Sequence, residues 1–195
     1  PYTINFTMMR IDLPTPLKAG ESYSFNIKWW YQINNHVKDR ARSGYEDFPE
    51  DGNKVYVIAQ FFPRMADYND VEGWQNMQLW GSGEFDWPFG DYEVNITVPA
   101  DHILDGTGEI TNRKEVYSRE MMRRFDQAKK SFDKPVIIVT QEEAEAAEKT
   151  FSNKKKTWKL KAEMVRDFAF STSRKFVVDM MNVDVMGKEV MAVSM

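Results

Sequence analysis

The sequence predicts a mainly β domain, antiparallel and sandwich-like, with one helical excursion. Three observations carry this. Several stretches alternate apolar and polar residues with a period of two, the pattern of a strand with one buried face. Aromatics make up 14% of the chain, with 13 Phe, 8 Tyr and 6 Trp, and such side chains suit a pleated, half-buried surface. Strands flank a helix-forming stretch without a βαβ rhythm or an internal repeat, which favours an antiparallel sheet over a parallel one.

The elements follow in order. Ile4, Phe6 and Met8 alternate with Asn5 and Thr7 and predict a first strand. Turns are expected at Leu13-Pro14-Thr15-Pro16 and Ala19-Gly20-Glu21. The longest alternation comes next: Tyr23, Phe25, Ile27, Trp29, Tyr31 and Ile33 fall on every second position, which predicts a long strand with these rings on the core face. Residues 34–53 read as a loop, Lys54 to Phe61 as a strand stopped before Pro63, and 64–90 as an irregular packed region. Asp91 to Val98 alternates again, and Gly108-Glu109-Ile110 reads as a short strand.

The character changes near residue 114. Glu115 to Ser131 is rich in helix formers, with Val116, Met121, Met122 and Phe125 on one stripe. Pro135 to Val139 is a short apolar strand or connector. Thr140-x-x-Glu143 has the capping-box pattern that opens a second helix. Alternation resumes at Trp158, Leu160 and Ala162, then at Phe168 to Phe170, Phe176 to Met180 and Val190 to Val193. The expectation is one β-rich domain over 1–195 carrying a helical insertion at 113–156, the insertion lying on its outside.

Composition narrows the function. With 42% hydrophobic residues the chain is no disordered tail. Its 26 basic and 30 acidic residues give a net charge of −4, which gives no reason to expect a nucleic-acid or membrane partner. The basic run Lys154-Lys155-Lys156, continued by Lys159 and Lys161, reads as a solvated loop leading into a strand. Without cysteine there is no disulfide, thiol nucleophile or thiolate metal site. The chain shows no signal peptide or membrane-spanning run. Both ends look cut, so a targeting segment is expected to belong to a longer parent.

Residues able to carry chemistry are few. A zinc hydrolase commonly places two histidines one helical turn apart. The only histidines here, His36 and His102, have no such partner and read as surface or turn residues. No Gly-x-Ser-x-Gly elbow and no phosphate-binding Gly-rich loop is present. The sequons at Asn5 and Asn95 lie within predicted strands. The acidic pairs Glu84/Asp86 and Asp91/Glu93 have no separation fixed by sequence, so glycoside hydrolysis is a weak reading. Trp29, Trp30, Tyr31, Trp74, Trp80 and Trp87 are candidates for a sugar-stacking platform, with core or interface use the simpler alternative.

The stretch from Tyr56 to Glu109 carries a resemblance. "YVIAQFFPRMADYNDVEGWQ", "GSGEF", "FGDYEVNITVPADH" and "GTGE" resemble, in that order, the amino-terminal domain of M1-family (gluzincin) zinc aminopeptidases, large bacterial branch. "TWKLKAEMVRDFAFSTSRKF" resembles the strand pair near that domain's end, so the agreement spans roughly residues 14 to 180. The resemblance implies a twisted, saddle-like antiparallel fold like the amino-terminal domain of leukotriene A4 hydrolase. It implies a non-catalytic chain that forms one wall of an active-site cleft. The catalytic domain of the same polypeptide and a peptide's amino terminus would be its partners. Zinc, HExxH and Gly-x-Met-Glu-Asn would belong to that catalytic domain, leaving this chain with no catalytic residue and no cofactor. A periplasmic or secreted parent is expected.

In this family a segment resembling Thr-Gln-x-Glu/Gln-Pro helps hold the substrate's free amino group. Here it reads Ala59-Gln60-Phe61-Phe62-Pro63. Gln60 matches and is the expected ammonium ligand. Phe62 stands where the family often has a carboxylate or amide and would line the first side-chain pocket. Asp67 replaces the usual Arg after Ala66. An accessory β-sandwich module that binds carbohydrate or protein is the alternative.

Overall fold

The computed structural model describes residues 1–81 and 86–195 and divides them into two units: residues 1–32 with 62–89, and residues 33–61 with 90–195. In chain order the strands are β1 (Tyr2–Asn5), β2 (Met8–Ile11), β3 (Gly44–Phe48), β4 (Asn53–Ile58), β5 (Tyr68–Asn69), β6 (Gly73–Trp74), β7 (Gly90–Pro99), β8 (Ile103–Gly106) and β9 (Glu109–Ile110). Helices α1 (Arg113–Val116) and α2 (Arg119–Ala128), strand β10 (Val136–Val139) and helix α3 (Gln141–Ala147) follow. Strands β11 (Lys155–Val165), β12 (Phe170–Ser173), β13 (Val178–Val185) and β14 (Lys188–Ser194) close the series. With 39% strand and 11% helix, the protein is mainly β, built of several antiparallel sheets, none closed.

In the first unit, β1 and β2 form a hairpin and β5 and β6 a second, shorter one. Phe6 turns the first hairpin with a left-handed φ of 49°, so the expected strand through Met8 is instead two. Ile4 and Phe6 are exposed rather than on a core face. Gln78 ties the hairpin down: its Oε1 accepts from the Thr7 amide at 2.9 Å and hydroxyl at 2.8 Å, and its Nε2 donates to the Asn5 carbonyl at 2.8 Å.

The alternating run from Tyr23 to Ile33 is a correction. It forms no ladder, and Tyr23, Phe25, Trp29 and Tyr31 are 43–48% exposed, so they are not core residues. Period two gives a chain two faces. Only a neighbouring strand that exchanges N–H and C=O bonds makes those faces a sheet.

The second unit holds three sheets, ordered β3-β4-β12-β8, β7-β11-β9 and β10-β13-β14. The longest pairing runs β7 against β11 and sets Trp158 opposite Ile96, Leu160 opposite Val94 and Ala162 opposite Tyr92. Trp158, Leu160 and Ala162 are buried on one face of β11, while Lys159, Lys161 and Glu163 on the other are exposed. The basic run therefore lies largely within the strand and not in a loop before it. Gly108 lets β9 come this close: a Cβ there would sit 2.2 Å from the Lys161 carbonyl oxygen, and its φ of 86° suits glycine. Leu104, Ile138, Phe168, Val178 and Met180 also belong to the core.

The predicted helix over 115–131 is two helices, separated at Tyr117 and Ser118, and Ser118 caps the second by accepting from the Met121 amide at 3.1 Å. The capping box of α3 forms in full: the Glu143 amide donates to Thr140 Oγ1 at 3.2 Å, and the Thr140 amide to Glu143 Oε2 at 2.9 Å. The expected external position of the insertion is corrected. Its β10 pairs with β13, and Ala128 and Ile138 have no exposed surface. Asn182 of β13 donates from its backbone to the Ser131 carbonyl at 2.8 Å and from its side chain to that of Lys129 at 2.9 Å. The apolar run Val136–Val139 needs a strand to lie against, and β13 supplies it.

Candidate functional site

Strand β4 ends at Ile58, earlier than the sequence predicts, and Ser43 fixes how the chain leaves it. The Ala59 amide donates to Ser43 Oγ at 2.9 Å, and that hydroxyl lies 3.1 and 3.2 Å from the carbonyl oxygens of Ala59 and Val57. Gln60 then takes a left-handed φ of 53°, an uncommon conformation for a side chain of this kind. The strand predicted over Lys54 to Phe61 therefore stops short of it. Gln60 is exposed, and its amide makes no hydrogen bond among the described residues.

Gln60 belongs to the second unit and Phe62 to the first. Within the first unit the half-buried Phe62 ring lies 5.6 Å from the Arg64 guanidinium, which also covers the Trp87 ring at 4.1 Å. Glu84 lies outside the described residues, as does the "GSGEF" segment after Gly81. Asp91 is committed to structure, accepting from the Met164 amide at 2.9 Å. Among the described residues no three His, Asp or Glu side chains come together as metal ligands.

Two polar groupings in the second unit escaped the sequence reading. The first surrounds His102, which is only 3% exposed and not a surface histidine. Its Nδ1 lies 3.2 Å from the Thr172 hydroxyl, which donates to the Ile103 carbonyl at 2.8 Å. The hydroxyl proton is thus committed, so Nδ1 carries the hydrogen and Nε2 the lone pair. Burial, helped by the Arg174 charge, lowers the His102 pKa to about 4. Beside it, Asp101 Oδ2 accepts from the Thr150 hydroxyl at 2.8 Å and the Ser152 amide at 2.5 Å, and lies 2.9 Å from Arg174 Nε. Burial works to raise this carboxyl, but Arg174 and the two donors outweigh it and hold the pKa at about 2. Lys156, half-buried over the Trp158 ring at 4.8 Å, is lowered to about 8 by desolvation.

The second grouping lies on the sheet β3-β4-β12-β8. Ser171 pairs with Val57 on one side and Asp105 on the other, so the three side chains share one rung and one face. Together with Gly106, Ala169, Phe170, Val193 and Met195 they line a recess of about 300 Å³. Asp105 Oδ1 accepts from the Gly106 amide at 2.8 Å. Burial raises the Asp105 pKa, against the opposing effects of that bond and of the Arg113 charge. The linear sequence offers one hint, Gly106: a Cβ there would meet the Ala169 carbonyl oxygen at 2.6 Å.

No known protein family, curated protein or solved structure matches the chain.

Proposed function

We propose that the chain is the non-catalytic amino-terminal domain of an M1-type zinc aminopeptidase, with a saddle-like fold of the leukotriene A4 hydrolase type. It forms one wall of the active-site cleft and helps hold the amino terminus of a peptide. The zinc and the hydrolytic groups belong to the catalytic domain, outside this chain. The ordered motifs from Tyr56 to Glu109 support this reading, as does the mainly antiparallel β architecture. The observation that carries it is Gln60: at the motif position that matches, an exposed amide with no hydrogen bond among the described residues stands just past a strand end. Its carbonyl oxygen is free to accept from a substrate ammonium, and Phe62 supplies an apolar surface for a side chain.

The test is Gln60→Ala in the parent that includes the catalytic domain. Removing a hydrogen bond to a charged group costs roughly 1.5–3 kcal/mol, so kcat/KM should fall about ten- to a hundredfold with the fold intact. Phe62→Ala should shift side-chain preference more than rate. Full activity in a folded Gln60→Ala parent would remove Gln60 from the site.

The accessory binding module remains a second reading because Trp30, Trp74 and Trp80 are 57–86% exposed. Glycan binding by the chain, abolished by Trp30→Ala or Trp80→Ala, would favour it.

A further inference from the structure

The recess beside Asp105 has the chemistry of a binding site. Its lining includes a carboxylate with one oxygen on the Gly106 amide and no cation within ion-pair distance among the described residues. Next to it on the same rung, the Ser171 hydroxyl makes no hydrogen bond among the described residues. Val57, Val193 and Met195 are each about two-fifths exposed, 41%, 39% and 44%, and form an apolar wall. The Arg113 charge acts on this carboxylate without forming an ion pair with it, so a carboxylate in such surroundings still has room for a positively charged partner with a hydrocarbon body.

The geometry selects among cations. A divalent metal needs several oxygen ligands, and one carboxylate with a hydroxyl is too few. A guanidinium prefers both carboxylate oxygens at once, and Asp105 has already given one to its neighbour's amide. An ammonium, with three rotatable donors, fits one carboxylate oxygen and the Ser171 hydroxyl and leaves its third donor to water. A volume of about 300 Å³ suits a short alkyl chain and not a large ligand.

We propose that this recess binds a primary alkylammonium, with Asp105 as the anchoring anion, Ser171 as a second acceptor and Val57, Val193 and Met195 packed against the alkyl body. The inference stands apart from the aminopeptidase reading, since it rests on residues of β4, β8, β12 and β14 and on Met195 just past β14, and not on Gln60.

The experiment is a titration of the uniformly ¹⁵N-labelled chain with n-pentylammonium, following the amide signals of Asp105, Gly106 and Ser171. Saturable shifts at these amides in the low-millimolar range are expected. n-Pentanol, which keeps the body and loses the charge, should bind at least about tenfold more weakly, as should pentyltrimethylammonium, which keeps the charge and loses the donors. Asp105→Asn should weaken pentylammonium about tenfold or more, and Ser171→Ala less. If Asp105→Asn does not fold, the three-ligand comparison on the unaltered chain decides. A lysine capped at both backbone ends separates the two sources of such a group: binding equal to pentylammonium points to a peptide side chain, and much weaker binding to a small free amine. Absence of saturable shifts for pentylammonium, equal affinity for n-pentanol, or a folded Asp105→Asn that binds unchanged would overturn the proposal. None of these outcomes bears on Gln60, so the two readings fail separately.

Discussion

Asp101 Oδ2 and Arg174 Nε stand 2.9 Å apart, with side chains only 8% and 12% exposed. The contact is more an electrostatic one than an aligned hydrogen bond: among the described residues the Nε proton is not directed at an acceptor, and the other Asp101 oxygen, Oδ1, is buried without a partner. Such a pair contributes little beyond what a matched apolar pair would, but breaking it from one side leaves an uncompensated buried charge. Arg174→Ala should therefore destabilise the second unit by about 3–5 kcal/mol, read as a drop in the urea midpoint. Arg174→Lys, which keeps the charge, should cost clearly less.

Acid should act on the same corner in two stages. The folded chain keeps His102 neutral down to about pH 4, while an unfolded chain takes up that proton near the ordinary value of 6.5. Between those values the unfolded state binds more protons, so stability falls as the pH drops from 6.5 toward 4, by on the order of 3 kcal/mol in all. His102→Gln should flatten urea-unfolding stability across that window. An unchanged slope would place the proton uptake on another group.

Asp101 supplies the second stage. Its folded pKa of about 2 lies below the ordinary 3.8, so its contribution is complete above pH 3.8 and is lost as the pH falls toward 2. That contribution is on the order of 2 kcal/mol. Asp101→Asn should remove the part of the acid transition below pH 4 and, because the Asp101 charge raises the His102 pKa, should deepen the His102 part and not abolish it.

Thr140→Ala removes the oxygen that caps α3 and leaves the Glu143 amide unsatisfied. A loss of about 1 kcal/mol is expected. Glu143→Ala should cost more than a cap alone, because Glu143 Oε2 also accepts from Arg124 Nη1 at 2.6 Å, and that guanidinium donates to the Ile138 carbonyl at 2.9 Å. A double-mutant cycle of Glu143→Ala with Arg124→Ala measures the shared part.

Replacing residues 113–153 with a short Gly-rich link should abolish cooperative unfolding of the second unit. Loop length by itself costs little, but this replacement removes β10 from its sheet and uncovers Val178 and Met180, which are 2% and 1% exposed. A sharp unfolding transition surviving the replacement would show that β13 and β14 stand without it.

The sequence exposed the parts of the fold whose signal is local. Asp91 to Val98 and Trp158 to Ala162 alternate and pair with each other, and the Thr140 box caps a helix. Other parts were hidden because their cause is remote. Strand β3, Gly44-Tyr-Glu-Asp-Phe, reads as polar loop until β4 lies beside it, and β8 is recognisable only through its bonds to β12. Tyr23 to Ile33 shows the reverse, a strong local pattern that has no ladder to join. The sites divide the same way. Gln60 was visible as a motif residue, though its left-handed backbone was not, and Asp105 acquires its meaning only from Ser171 and Val57, distant in sequence and adjacent on one rung.

Trp158 has no exposed surface and is the sole tryptophan of the second unit, since Trp29, Trp30, Trp74, Trp80 and Trp87 all fall in the first. The chain thus carries its own optical label for each half. Emission from Trp158 should be blue-shifted and out of reach of iodide, whereas the exposed indoles of the other unit should emit at longer wavelength and be quenched. One fluorescence titration in denaturant, read at both edges of the band, then reports whether the two halves melt together or one after the other.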